Sequence, residues 1–157
     1  MNEAYDAFMD LSTIIGVSPK ALSLNGKLAM AFGARGSGNA MAHYEPTRGV
    51  INLTKTKGAG SLAHEWWHAF DNYLSGQRGK ESEMLTDSPR YKGKDNTTVR
   101  EEISDAFVNL VKTIKDSPLY KRSRAADAAK SKPYFSTSVE MTARAFENYV
   151  VLKMAEA

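Results

Sequence analysis

The stretch Ser61-Leu-Ala-His-Glu-Trp-Trp-His-Ala-Phe-Asp-Asn-Tyr-Leu74 decides how the rest of this chain is read. It contains His64, Glu65 and His68 in the pattern His-Glu-x-x-His. On an α-helix, residues i and i+4 lie one above the other, so both imidazoles reach one metal ion from consecutive turns. Neutral imidazole is a good zinc ligand. Glu65, beside the pair, is placed to take a proton from a water whose pKa such an ion lowers. The competing explanation is a chance spacing of two ordinary histidines. Against it, the chain has 3 His in 157 residues and two of them form this pair. The flanks Leu62, Ala63, Trp66, Trp67, Ala69, Phe70, Tyr73 and Leu74 are apolar almost all round. Such a helix is expected to run through a core, where polar side chains need partners and a metal satisfies both imidazoles at once.

Working outward, the length predicts a single domain spanning residues 1–157, large enough to bury a core without cross-links. A hydrophobic content of 42% and a charged content of 25% place it with ordinary globular proteins rather than disordered or membrane chains. The absence of Cys excludes disulfides, thiolate zinc sites and cysteine nucleophiles, and gives no sign of an oxidising destination. No apolar run approaches the roughly 18 residues of a membrane span, and the N-terminus lacks the pattern of a secretory signal. The expectation is a cytoplasmic protein with no membrane partner. The net charge of +3 weakly favours an anionic one.

Before the central stretch, Ala4, Phe8, Leu11 and Ile15 fall at helical spacing and Gly16 ends the run, predicting an amphipathic helix over residues 3–15. Leu24-Asn-Gly26 reads as a turn, and Lys27–Phe32 alternates as a strand. Gly33–Gly38 is glycine-rich but lacks the Lys-Ser/Thr of a phosphate loop, so it reads as a hairpin connection. Met41–Glu45 and Val50–Thr54 read as two strands joined by a turn at Pro46–Gly49. Ala42–Glu45 is a candidate edge strand along which a peptide could add. His43, within it, fits the usual zinc spacing poorly and reads as a surface or substrate-facing residue. Lys55–Gly60 reads as a loop, with Ser61 capping the central helix and Gly76 ending it.

Beyond that helix, residues 77–97 are polar and aperiodic and read as a long surface loop. From Val99 the helical period returns, with Ile103, Ala106, Phe107, Leu110, Val111 and Ile114 on one stripe. Residues 112–132 are basic, and a weak contact with nucleic acid there stands beside the plainer reading of a solvated helix and linker. A last helix from Ser138 to about Met154 is apolar over most of its circumference and is expected to be buried. Glu140 and Glu147 form a carboxylate stripe on it.

A catalytic zinc site has three protein ligands, and the histidine pair supplies two. Glu101, Glu102, Glu140 and Glu147 are candidates for the third. At about 100° per residue, Glu101 points about 160° away from Ile103 and its apolar stripe, and Glu102 about 100°. Glu140 lies on a helix with little polar circumference, so that geometry favours it over a plain i,i+4 pair with Arg144. Glu101 and Glu147 remain the alternatives. Asp71, on the face of His68, reads either as an orienting partner for an imidazole or as exposed helix-end polarity.

The helix Ser61–Leu74 resembles those of the zincin metallopeptidases. Phe32-Gly-Ala-Arg-Gly36, Ala42-His-Tyr-Glu-Pro46, Val50-Ile-Asn-Leu-Thr-Lys55 and Gly58-Ala-Gly-Ser-Leu-Ala-His-Glu-Trp-Trp-His68 look like the large polyvalent protein-associated domain of phages and conjugative elements. Glu140-Met-Thr-Ala-Arg-Ala-Phe-Glu147 continues that likeness. It is also similar to a helix of the anthrax lethal factor peptidase domain whose first Glu is the third zinc ligand, a position that Glu140 matches. The same family has a Tyr that assists the oxyanion, and Tyr134 is the nearest match, at an offset differing by one. Glu101-Glu-Ile-Ser-Asp105 resembles a ligand-bearing string of the thermolysin group, at a longer distance from His68. These resemblances imply an α+β, zincin-like fold, with a small, mostly antiparallel sheet packed on the central helix and further helices C-terminal to it. They imply a zinc metallopeptidase acting on a protein or peptide, with Zn2+ on His64, His68 and Glu140, and with Glu65 and Tyr134 catalytic. Its setting would be a larger polyvalent protein, acting in a host cytoplasm after delivery with phage or conjugative DNA. A catalytically inactive zinc-stabilised module and a nucleic-acid-associated domain are the alternatives.

Overall fold

The computed structural model describes residues 2–32, 42–45, 50–53, 59–89 and 99–156. The glycine-rich segment Gly33–Gly38, the turn Pro46–Gly49 and the later part of the polar loop, residues 90–97, lie outside the described residues. The chain divides into two compact units, Met1–Phe70 with Ala145–Ala157, and Asp71–Arg144.

In the first unit, helix α1 (Asn2–Ile15) is amphipathic as its spacing predicts, burying Ala7 and Leu11. Gly16 ends it in the left-handed conformation, φ +69, while the N–H groups of Gly16 and Val17 return to the carbonyls of Thr13 and Ser12. A short helix α2 (Pro19–Leu22) follows, unanticipated by periodicity because it is a single turn. It starts on Ser18, whose hydroxyl accepts from the Ala21 N–H, with Pro19 supplying a preset φ. Leu24, Asn25 and Gly26 all take positive φ and turn the chain into strand β1 (Ala29–Phe32).

Strands β2 (Ala42–Glu45) and β3 (Val50–Leu53) complete a sheet of order β1-β3-β2. β2 pairs antiparallel with β3, Tyr44 opposite Ile51, and stands at the sheet edge. β1 pairs parallel with β3, Met30 opposite Ile51. Ile51, on the central strand, is fully buried.

The α+β, zincin-like architecture built around a mostly antiparallel sheet is therefore corrected. The described chain is mostly helical, with six α-helices of up to 19 residues against three strands of four residues each. One of the two strand pairings is parallel. Alternating side chains signal extended backbone, but they fix neither the direction of pairing nor the share of the fold that a sheet provides.

The central helix α3 runs Ala59–Gln77, so Ser61 lies inside it rather than capping it, and Ala59 and Gly60 are helical rather than loop. Up to Phe70 it belongs to the first unit and buries Leu62, Ala63, Trp66, Trp67 and Ala69. The Trp66 indole N–H donates to the Leu22 carbonyl at 2.8 Å, which fixes α3 to the short helix α2. Phe146 of helix α6 (Ser138–Glu156) packs against both tryptophan rings, with centroids 5.7 Å from Trp66 and 5.2 Å from Trp67. Close aromatic packing of this kind contributes about 0.5–1.5 kcal/mol per pair beyond buried area.

In the second unit, α3 ends at Gln77, and the residue that stops it is Gly79 rather than Gly76. Gly79 takes φ +78, and the Gly79 and Lys80 N–H groups close onto the carbonyls of Gly76 and Ser75. The polar segment that follows is not simply a surface loop. It contains a 3-10 turn, Leu85–Asp87, in which Leu85 and Thr86 are buried. The Asn72 amide donates to the carbonyls of Glu81 and Glu83 at 2.7 and 2.9 Å, and the Arg78 guanidinium donates to the Ser88 carbonyl. Helix α4 (Glu101–Lys115) buries Phe107 and Ile114 and leads into α5 (Pro118–Asp127). At the last residue of α5, the Asp127 carboxylate accepts from the Phe135 and Ser136 N–H groups and the Ser136 hydroxyl, bracing the approach to α6. Burial works against ionisation of this carboxyl, but these hydrogen bonds outweigh it and hold it well below the usual carboxylate range.

Helix α6 departs from the expectation of a helix buried all round. Met141, Ala143 and Val150 are buried, whereas Tyr149, Val151, Leu152 and Met154 are exposed. An apolar composition does not decide which side of a helix is covered. Among the described residues, no helix is long and apolar enough to cross a membrane.

Candidate metal centre

His64 and His68 stand one turn apart on α3, with ring centroids separated by 4.9 Å and planes at 78°. Both are partly buried. Both lie inside one continuous helix, Ala59–Gln77, so the pair is held by helical backbone rather than by a loop.

Helix α6 brings two carboxylates to this face. Within the first unit it runs antiparallel to α3, Val151 lying near Gly60 and Glu147 near His64. The approach is close because residue 60 has no side chain. A Cβ there would sit 3.0 Å from Val151 Cγ2 and 3.9 Å from Glu147 Cγ. One turn further along α3, His64 Nδ1 and Glu147 Oε2 are 2.9 Å apart. A carboxylate on one ring nitrogen fixes the tautomer and the orientation of the imidazole.

Glu140 lies two turns earlier on the same α6 and is 7% exposed. Its backbone N–H donates to the Thr137 hydroxyl at 3.3 Å, and the Met141 N–H donates to the Thr137 carbonyl, which places Glu140 in the first turn of a capped helix. That end of a helix favours negative charge and so lowers the cost of burying a carboxylate. The ligand-capable atoms of His64, His68 and Glu140 all lie within 4.8 Å of one another.

Two imidazoles and a carboxylate are a donor set suited to zinc. At bonds of roughly 2.0–2.2 Å in tetrahedral geometry, ligand atoms stand about 3.3–3.5 Å apart. The ligand atoms here lie within 4.8 Å of one another, an outer bound wider than that spacing.

Glu65 is partly buried beside His64. Glu101 and Glu102 are exposed in the first turn of α4, as the wheel geometry predicts. His43 lies in β2 opposite Asn52. Tyr134 is 51% exposed, its ring edge-on to Phe135 and the Lys130 ammonium 5.8 Å from its centroid.

Asp71 is neither exposed nor merely a helix-end charge. It is fully buried, and its two carboxylate oxygens accept from the Thr86 N–H at 2.8 Å and the Thr86 hydroxyl at 2.5 Å. Asp71 therefore ties the 3-10 turn to α3. Sequence reasoning missed this pairing and the role of Gly60. A small residue four before His64, on the same helical face, was the available signal for the second.

The model of one family, described as Large polyvalent protein-associated domain 1, matches residues 126–157, the stretch that carries Tyr134, Glu140 and Glu147 but not the histidines. No curated protein and no solved structure matches the chain.

Proposed function

We propose that this chain is a zinc-dependent peptide hydrolase acting as one domain of a polyvalent protein of a phage or mobile element. The observation that carries the reading is the convergence of His64, His68 and the buried Glu140, with Glu65 next to the first histidine in sequence. The family match at residues 126–157 supports the polyvalent setting.

His64, His68 and Glu140 would hold the metal. Zinc, when bound, supplies a Lewis acid that polarises a carbonyl and lowers the pKa of water toward neutrality. Glu147, 2.9 Å from Nδ1 of His64, would hold the ring so that Nε2 is left to the metal. Glu65 takes the proton from the attacking water and passes it to the leaving amine. Tyr134, on the resemblance to the lethal factor helix, would hydrogen-bond the developing oxyanion. The edge position of β2 allows a peptide to add as a further strand.

The test combines metal analysis of the purified protein with cleavage of a peptide library by wild type and by Glu65→Gln. The amide keeps the shape of the carboxylate but not its basicity. Stoichiometric zinc in both proteins, with turnover in wild type alone, is the expected result. Stoichiometric zinc without hydrolysis in wild type would instead assign a structural metal. Turnover retained in Glu65→Gln would refute the proton-transfer role.

A further inference from the structure

We infer that the outer face of α5, with Lys130 and Lys132 just beyond it, binds the phosphate backbone of nucleic acid. The first observation is where the charge lies. Residues 112–132 hold seven Lys or Arg against Asp116 and Asp127, a net of +5. The whole chain holds 21 against 18, so the remainder holds 14 against 16, a net of −2. The basic character of the protein is thus confined to one segment. A localised field of this kind steers an anion to one place.

The second observation is how α5 is oriented. Ser123 is its buried side, 1% exposed. At about 100° per residue, Lys121 and Ala125 lie within about 20° of the opposite direction, and Arg122 and Arg124 within about 80° on either side. All four are exposed. No acidic residue occurs between Pro118 and Ala126, and the Asp127 carboxylate is turned to the Phe135 and Ser136 donors. Lys121, Arg122, Arg124, Lys130 and Lys132 form no ion pair among the described residues, so their charge is available to a partner.

A third observation separates nucleic acid from other polyanions. The Arg124 guanidinium lies 5.9 Å from the centroid of the Tyr120 ring, and the Lys130 ammonium 5.8 Å from that of the half-exposed Tyr134. A tyrosine beside a cation offers a base a stacking surface next to a phosphate contact. An anionic membrane would call for large apolar side chains among the cations, and the outer face of α5 offers only Ala125.

The experiment is fluorescence anisotropy of the full chain with a labelled 30-nucleotide DNA strand and with its duplex, between 50 and 200 mM NaCl. Five phosphate contacts give a log–log salt slope of about −4.5 on duplex, a fall of about 500-fold in affinity over that range. The triple variant Lys121→Gln, Arg122→Gln, Arg124→Gln leaves two contacts. Its slope should drop to about −1.8, and its affinity should fall only about 10-fold over the same range. Should that variant lose helix by circular dichroism, Ala125→Glu tests the same face by adding one carboxylate, and should weaken binding at 50 mM several-fold. Absence of binding at 50 mM, or a wild-type slope in the triple variant, would overturn the inference. So would polyglutamate or phosphatidylserine vesicles competing as well as DNA, which would assign the face to an acidic protein or a membrane.

Discussion

Replacing Glu147 with Ala tests whether the 2.9 Å pair with His64 serves the metal. Glu147 is not one of the three clustered ligands, so its removal should leave them in place while freeing the His64 ring to rotate and to change tautomer. Loss of a carboxylate behind a metal-bound imidazole typically weakens metal affinity 10–100-fold, which is about 1.4–2.7 kcal/mol. The Glu147 side chain is 34% exposed and that of His64 15%, so water can partly replace the lost acceptor, and the lower end, about 10-fold, is expected. Glu147→Gln keeps an acceptor oxygen without the charge and should fall between wild type and Ala. The assay is zinc competition against a chromophoric chelator at fixed pH, with Leu152→Ala as an exposed control on the same helix. An unchanged zinc Kd in Glu147→Ala, with severe loss in His64→Ala, would refute the orienting role and leave the pair as a helix-docking contact.

Glu140→Ala should release zinc at the lowest chelator concentration of any carboxylate variant, whereas the exposed Glu101→Ala should titrate like wild type; the reverse order would move the third ligand to α4. Asp71→Ala strips the buried Thr86 N–H and hydroxyl of a charged acceptor, at about 1.5–3 kcal/mol per bond, so urea unfolding should show a loss of about 3–5 kcal/mol. A loss below about 1 kcal/mol would contradict the anchoring role. The Asp127 carboxyl titrates below its unfolded value, near 3.9. Its stabilisation is therefore fully present above that pH and is lost as pH falls further toward the folded pKa. Asp127→Asn should lower Tm at neutral pH and flatten the acid limb of the Tm–pH profile below about pH 4, and an unaltered acid limb would count against it.

The central helix was legible because two signals coincide on it, helical apolar spacing and the concentration of scarce histidines. Glu140 was legible for a related reason. On a helix with few polar positions a carboxylate has little chance of reaching water, and Glu140 is indeed 7% exposed. The same reasoning failed for Tyr149, Val151 and Leu152, which are as apolar as their neighbours but are not covered. The fold class was misread because four-residue strands give the same alternation whether they dominate a fold or merely decorate helices, and because β1 joins β3 in parallel. The link from Asp71 to Thr86 was invisible, since it spans 15 residues of a segment with no periodicity.

The pair His64–Glu147 joins residues 83 apart in the chain, which sets an order in time as well as in space. While the protein is being synthesised, the histidine helix is complete long before α6 exists. During that interval the imidazoles have neither Glu140 nor Glu147, and any metal they hold is bound by two side chains. Contacts this distant must also be closed against chain entropy before they stabilise anything. The His64–Glu147 pair therefore closes only when α6 docks. An ion that binds the docked state more tightly than the open one then favours that last step in proportion to its concentration.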